Sequence, residues 1–204
     1  HLGRREDLNE LLVEMTGEIG VGHNYVAGGD VLDNVSASPG LLGADTKIEN
    51  GRYRITRIFT GEEWNPFLSA PLAAHGVDVK EGDYIIAING QDIGADANIY
   101  AALSGARGTQ VSLSVACSPD GERRTSVVEP VGSEGLLRLW SWIADNRRRV
   151  DEATDGRVAY VYMPNTANAG FTLFIRMYFA LTDKEALILD ERSIGGVLAA
   201  IYIF

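Results

Sequence analysis

Cysteine is almost absent from the sequence: Cys117 is the single one among 204 residues. One cysteine cannot form an intramolecular disulfide, and no cluster of cysteine and histidine has the spacing of a zinc site. We therefore expect no disulfide framework, no metal site and no cofactor. Because an isolated cysteine usually packs as a small apolar side chain, Cys117 is predicted to be buried.

Basic residues are also scarce. Lysine and arginine number 18 against 28 aspartate and glutamate residues, which gives a formal net charge of −10. Nucleic acids and anionic membranes both bind through a basic surface, so neither is an expected partner. No apolar run reaches the ~18 residues that a membrane-spanning helix needs. A basic segment followed by an apolar one, typical of a signal peptide, is missing from the start of the sequence as well.

The two ends lack the features of natural termini. The sequence begins with His1 rather than methionine, and residues 197–204 form an apolar run without a charge or a turn. We therefore expect the chain to be a piece of a longer protein, cut within an element that is normally buried.

The most informative stretch is residues 69–93, SAPLAAHGVDVKEGDYIIAINGQDI. Residues 69–74 are predicted to begin a helix, and residues 84–88 to form a strand. Asn89 and Gly90 then predict a hairpin turn, because both residue types tolerate a positive φ. This order of parts resembles the core of a PDZ domain, a peptide-binding module.

Further strands and a helix surround that stretch. Alternating apolar residues predict strands at 52–59, 110–116 and 124–128, and a helix is predicted at 97–103. In PDZ-like modules a strand that follows a glycine forms the groove edge to which a peptide adds as an extra strand. The strand after Gly51 therefore suggests the following groove residues: Tyr53, Arg54 and Ile55.

Amphipathic helices flank this module. Residues 4–15 and 134–150 carry apolar side chains at helical spacing. A strand at 156–163, a helix at 170–181 and a fully apolar strand at 186–190 then predict a βαβ unit whose second strand is buried. Sites in such sheets lie just past the carboxyl ends of parallel strands.

Taken in order, these parts resemble the C-terminal half of tricorn proteases and, more distantly, the C-terminal processing proteases. The motifs that carry the resemblance cover nearly the whole chain: EMTGEIGVGHNY, RYRITRIFTGEEWNPFLSAPL, VKEGDYIIAINGQDI, NRRRVDEATDGRVAYVYMPNT and DKEALILDERSIGG. The resemblance implies a multi-domain α+β protein. Residues 1–30 would end a helical catalytic subdomain, 31–132 would form a PDZ-like β-barrel with its lead-in, and 133–204 would begin an α/β protease core of the ClpP/crotonase type.

Tricorn-like enzymes are cytoplasmic serine peptidases that trim oligopeptides downstream of the proteasome and assemble as large homo-oligomers. The resemblance thus implies oligopeptide substrates, a cytoplasmic location and a homo-oligomer for the full-length protein. In the family, a Gly-Glu-Leu-Gly-x-Ser-His turn follows the first helix and supplies the general base. By that motif His23 is the base, a role suited to an imidazole, and Gly22 replaces the serine that supports it.

The family's Asp-x-Arg-x-Asn-Gly-Gly-Gly segment supplies a backbone amide to the oxyanion hole. By the resemblance, Gly195 is the oxyanion donor and Gly196 supports it, while Ile194 replaces the family's asparagine. Asp190 and Arg192 are expected to form an ion pair that fixes this loop.

The nucleophilic serine and the acidic partner of the family lie further along than Phe204, and no serine here has a nucleophile-like context. Two functions stay open. The chain either contributes the base and part of the oxyanion hole to a serine peptidase, or it is a non-catalytic PDZ peptide-binding or assembly module, inactive through Gly22, Ile194 and the missing segment. The coding sequence after Phe204 would discriminate between them.

Overall fold

The computed structural model describes residues 2–22, 24–30, 39–62 and 65–192. The chain divides into two compact units, residues 1–37 and 38–204. In the first unit, helix α1 spans Arg5–Gly17, so the predicted helix is confirmed. Its start is stabilised by the Asp7 carboxylate, which accepts hydrogen bonds from the backbone N–H groups of Gly3 (2.8 Å) and Arg4 (2.9 Å).

The second unit begins with an antiparallel sheet, which together with its loops we call the antiparallel module (residues 39–133). The strands are β1 (Ala44–Glu49), β2 (Arg52–Ile58), β3 (Tyr84–Ile88), β4 (Gln91–Asp92), β5 (Val111–Ala116) and β6 (Arg124–Val128). Their order in the sheet is β1-β2-β3-β5-β6, with β4 paired to β3. A short helix, α2 (Ile99–Ala102), lies between β4 and β5.

The core of this module is built from alternate residues of the central strands. Ile55, Ile85 and Leu113 are fully buried and pack together with Ile99 and Leu103 from the helical side. Burying each such side chain contributes roughly 1.5–3 kcal/mol to folding. The structure combines helices with an antiparallel sheet, which confirms the predicted α+β class.

The predicted hairpin turn is present between β3 and β4. Asn89 and Gly90 have φ of 50° and 79°, the positive values that this residue pair favours. The Asn89 side-chain oxygen also accepts a hydrogen bond from the backbone N–H of Ser112 at 3.0 Å, which joins the turn to β5.

The predicted helix at residues 69–74 is wrong. Two single 3₁₀ turns occupy the region instead, at Pro66–Leu68 and Pro71–Ala73. A proline forces the residue before it into an extended conformation, and Ala70 has φ −115° and ψ 97°. Pro71 also lacks the N–H group that would continue a helix through it.

Cys117 is exposed, so the prediction that it is buried is wrong. Strand β5 ends at Ala116, which is buried, and Cys117 is the next residue, where the chain leaves the sheet for a turn. The guanidinium of Arg124 lies 3.9 Å from its sulfur.

The rest of the second unit contains two helices and a parallel pair of strands. Helix α3 spans Gly135–Ala153 and α4 spans Asn168–Phe179. Strands β7 (Val158–Tyr162) and β8 (Ala186–Asp190) are parallel, in register from their first residues to their last. The predicted βαβ unit is therefore confirmed.

Strand β8 is not buried as predicted. Ala186 is exposed, Leu187 and Ile188 are 38% and 44% exposed, and only Asp190 at the end of the strand is buried. Helices α3 and α4 both pack against β7. An apolar sequence predicts that a strand can be buried, but the neighbouring elements decide whether it is.

Helix α3 is fastened to the antiparallel module by charged and aromatic contacts. Arg57 of β2 contacts Asp145 at 2.7 Å, and Arg138 contacts Asp45 of β1 at 2.7 Å. Both guanidinium groups lie over the Phe59 ring, at 5.2 and 4.6 Å from its centroid. The helix is therefore continuous with the module rather than joined to it by a free linker.

Candidate functional site at the end of the parallel strands

The carboxylate of Asp190 lies at the carboxyl end of β8 and is almost fully buried. The strand register sets Tyr160 of β7 close by, and its hydroxyl donates a hydrogen bond to Asp190 Oδ2 at 2.6 Å. Asn146 of α3 donates from Nδ2 to the Tyr160 oxygen at 3.2 Å. Residues of α3, β7 and β8 are thus joined by a chain of hydrogen bonds that ends at one buried carboxylate.

Arg192, two residues after Asp190, completes this cluster. Its Nε donates to Asp190 Oδ1 at 2.9 Å, and a terminal nitrogen donates to Oδ2 at 2.5 Å. Its backbone N–H donates to Oδ1 at 3.0 Å. The predicted ion pair is therefore present. The guanidinium also lies 4.9 Å from the centroid of the Trp142 ring.

The hydrogen bonds set the protonation states of the cluster. The Arg192 guanidinium, helped by the Tyr160 hydroxyl, holds the pKa of Asp190 well below its usual range. Burial, together with the neighbouring carboxylate, raises the pKa of Tyr160 to about 12. Asp190 is thus an ionised acceptor and Tyr160 a neutral donor at physiological pH. A carboxylate with so low a pKa is a poor general base.

A cavity of about 590 Å³ opens beside the cluster. This volume is within the range of ligand sites. Its lining comes from α3, β7 and the end of β8: Asn146, Arg149, Val150, Tyr160, Ile188, Leu189, Asp190, Glu191 and Arg192. A larger cavity of about 830 Å³ lies elsewhere, on the antiparallel module between residues 67–77 and 127–133.

The two predicted catalytic residues, His23 and Gly195, and the supporting Gly196 lie outside the residues that the structure describes. Gly22 is described and exposed. Among the described residues no atom lies within 4 Å of the position that a Cβ of residue 22 would take, so a serine fits there. Of the predicted site residues, the structure brings together Asp190 and Arg192.

The predicted groove edge is at the wrong strand. Tyr53, Arg54 and Ile55 belong to β2, which is paired on one side with β1 and on the other with β3. Ile55 is completely buried. Strand β1, not β2, is the outer strand at this side of the described sheet. A glycine before a strand therefore did not identify the edge, because strand order depends on pairing between distant segments.

Sequence reasoning did not identify Tyr160, Asn146 and Trp142 as part of the site. Tyr160 and Tyr162 are two residues apart in β7, so the pattern could have shown that both lie on one face of the strand. The contacts of Asn146 and Trp142 follow from how α3 crosses β7, which no local pattern records.

Within the described ranges, no group of acidic, cysteine or histidine side chains could hold a metal ion. Among the helices of the same ranges, none is both long and apolar enough to cross a membrane.

Comparison with known proteins links this chain to one family. Residues 40–133 match the tricorn protease PDZ domain. The chain is 38% identical to tricorn protease homolog 1 of Streptomyces coelicolor over 194 residues, which cover 94% of this chain and 18% of that protein. It is 30% identical to the tricorn protease of Thermoplasma acidophilum over 192 residues, again 94% of this chain and 18% of that protein.

A crystal structure of the tricorn protease superposes on the chain with a TM-score of 0.85 at 29% identity. The match covers 97% of this chain and 19% of that structure. The chain thus spans about a fifth of the length of its relatives.

Proposed function

The chain belongs to the tricorn protease family, and from that premise we propose that it contributes to a serine-type peptidase that cleaves oligopeptides. In this proposal His23 is the general base, which takes the proton of the nucleophile and returns it to the leaving amine. The N–H group of Gly195 is one oxyanion donor. Removal of such a donor typically costs about 3–4 kcal/mol of transition-state stabilisation.

The observation that carries the proposal is the anchored carboxylate of Asp190. Tyr160 and Arg192 both bind it, and it also accepts the backbone N–H of Arg192. This contact fixes the backbone direction three residues before Gly195. An oxyanion donor is effective only when it is held in place before the reaction. In this proposal, the fixed backbone at Arg192 helps to hold the Gly195 donor in place.

The wider organisation is proposed on the same family basis. Residues 1–30 end a helical catalytic subdomain, 31–132 form a PDZ-like barrel with its lead-in, and 133–204 begin a ClpP-like α/β core. The full-length protein acts in the cytoplasm as a homo-oligomer. No serine of this chain matches the family's nucleophile, so the proposal assigns it the base and one part of the oxyanion hole.

The test is hydrolysis of fluorogenic tri- to pentapeptides by the chain, alone and mixed with a relative's segment that carries the nucleophile. We expect activity in the mixture, reduced about 100-fold or more by His23→Ala, because general bases contribute roughly that much. His75→Ala is the matched control, since His75 is an exposed histidine in the antiparallel module. A well-folded mixture without activity would contradict the proposal.

Gly22→Ser tests whether a serine beside His23 supports the general base. The added hydroxyl restores the family's residue beside His23, and it fits without a clash with described atoms. We expect the activity of the mixture to rise several-fold, by less than the contribution of the base itself. An unchanged or lower rate would show that the hydroxyl does not support His23 here.

A second function is a non-catalytic peptide-binding or assembly module. The replacements at Gly22 and Ile194 favour it, because each removes a polar side chain that the family motif carries. Under this alternative His23→Ala and Gly22→Ser both leave peptide hydrolysis absent in every mixture.

A further inference from the structure

In the loop that leads into β1, the backbone N–H groups of Gly40, Leu41 and Gly43 donate to acceptors of the chain itself. Leu41 and Val131 exchange two backbone hydrogen bonds, at 2.8 and 2.9 Å, as in a pair of antiparallel strands. The N–H of Gly43 donates to Oε1 of Glu134 at 2.7 Å, a buried contact across 91 positions of sequence. The segment 131–134 therefore lies along the loop of residues 40–43.

The Glu134 carboxylate is held firmly in this position. The residue is 7% exposed, and Oε2 accepts hydrogen bonds from Arg138 at 2.9 and 2.7 Å. Arg138 in turn contacts Asp45 of β1 at 2.7 Å. One carboxylate oxygen thus binds the loop amide and the other binds the helix.

These contacts resemble those by which a peptide-binding module holds the C-terminal end of a peptide. Modules that take a peptide terminus pair it as an added strand and capture its carboxylate on backbone N–H groups. Here Val131 supplies the strand-like pairing and Glu134 supplies the carboxylate. The space left between the loop, β1 and α2 is about 20 Å³, lined in part by Thr46, Ile99 and Leu103. That volume holds about one water molecule.

We propose that residues 131–134 are a built-in ligand of the antiparallel module, and that Glu134 keeps external peptide carboxylates off the Gly43 amide. Glu134 precedes α3 and Arg138 belongs to its first turns, so the same helix that docks against Arg57 and Phe59 also closes the groove. Access of an outside peptide to β1 is therefore coupled to the docking of α3.

The test is fluorescence anisotropy with a labelled pentapeptide that ends in valine and a free carboxylate, together with its C-terminally amidated form. The unaltered chain should bind neither form measurably. Glu134→Ala should bind the free-acid form at least tenfold more tightly than the unaltered chain does, and the amidated form should gain nothing. Equal binding of the free acid to both proteins, or binding to neither, would overturn the proposal.

If Glu134→Ala does not fold, a second variant, Arg138→Met, tests the same proposal. Arg138→Met keeps the apolar stem of the side chain over Phe59 but removes the hold on Glu134, so the free-acid peptide should again bind more tightly. Arg148→Met is the matched control, because Arg148 is an exposed arginine of the same helix, and it should leave binding unchanged.

The unaltered chain offers a test without any substitution. Its Gly43 amide resonance should not move when the free-acid peptide is added at millimolar concentration. A shift of that resonance would show that the groove is open and would overturn the proposal. None of these readouts depends on peptide hydrolysis, so they succeed or fail separately from the peptidase proposal.

Discussion

The antiparallel module and the β7–α4–β8 unit use different means to hold a sheet together. In the module, all five residues of β3 are buried, and the central strands share one apolar core. In the β7–α4–β8 unit, which we call the parallel unit, β7 is buried but the first three residues of β8 are exposed. The end of β8 is fixed by hydrogen bonds to Asp190. Apolar packing holds the central strands of the module, whereas a polar cluster fixes the end of β8 in the parallel unit.

The difference shows where each region can tolerate change. A close-packed core responds strongly to any loss of volume. A half-exposed strand end responds to the loss of the groups that satisfy its buried charge. The following substitutions compare the two regions, from the largest expected effect to the smallest.

Leu113→Ala should have the largest effect, because Leu113 is fully buried in the module core. We expect the free energy of unfolding to fall by about 2–5 kcal/mol in urea denaturation. Leu187→Ala removes the same atoms from β8, where the side chain is 38% exposed, and should cost less than about 1 kcal/mol. Similar losses in both variants would remove the contrast between the regions.

Asp190→Asn should be the most damaging polar change in the parallel unit. It weakens the charge-assisted bonds from Arg192 and Tyr160, and we expect a loss of about 1–3 kcal/mol. Glu191→Gln, an exposed neighbour, is the control and should stay within about 0.5 kcal/mol.

The same variant has a pH signature. The pKa of Asp190 is lower in the folded chain than in the unfolded one, so its contribution is complete above about pH 4 and is lost as the pH falls towards the folded value. Thermal unfolding should therefore depend less on acid pH in Asp190→Asn. An unchanged acid dependence would contradict the assignment.

Tyr160→Phe should have a smaller effect, visible mainly at high pH. The pKa of Tyr160 is raised to about 12, so the stability it contributes is complete below about pH 10 and is lost as the pH rises towards 12. In a phenolate absorbance titration, a step near pH 12 should be present in the unaltered chain and absent in Tyr160→Phe. Tyr100→Phe, at an exposed site on α2, should leave that step in place.

Glu185→Gln should have the smallest effect. Its carboxylate contacts Arg157 at 3.3 Å, but both side chains are more than 60% exposed. Exposed ion pairs are screened by water, so we expect a change below about 0.5 kcal/mol in thermal unfolding. A loss as large as that of Asp190→Asn would show that charge alone, without burial, stabilises this region.

Much of the fold could be predicted from sequence because its signals are local. The alternation in β5 and β6, the apolar spacing of α1 and α3 and the Asn89-Gly90 turn each depend on neighbouring residues. Residues 69–74 were predicted wrongly for an equally local reason, since Pro71 interrupts an otherwise helical composition. The ion pair of Asp190 with Arg192 was predictable because the two residues are nearly adjacent.

The rest of the candidate site was decided by contacts between distant segments. Nothing in the local sequence indicates that Tyr160 on β7 will bind Asp190, or that Asn146 on α3 will bind Tyr160. Both contacts depend on how the helix crosses the parallel strands. The exposure of Cys117 likewise depends on where β5 ends in space.

The sequence by itself determined most of the strands and helices, the turn at Asn89-Gly90 and the family, since these follow from local periodicity, backbone preference and motif order. The tertiary structure alone decided that β1 rather than β2 lies at the edge of the sheet and that the Glu134 carboxylate accepts the N–H of Gly43. The physical reason is that strand order and buried polar contacts are satisfied by partners many residues away, chosen by the packing of the whole unit.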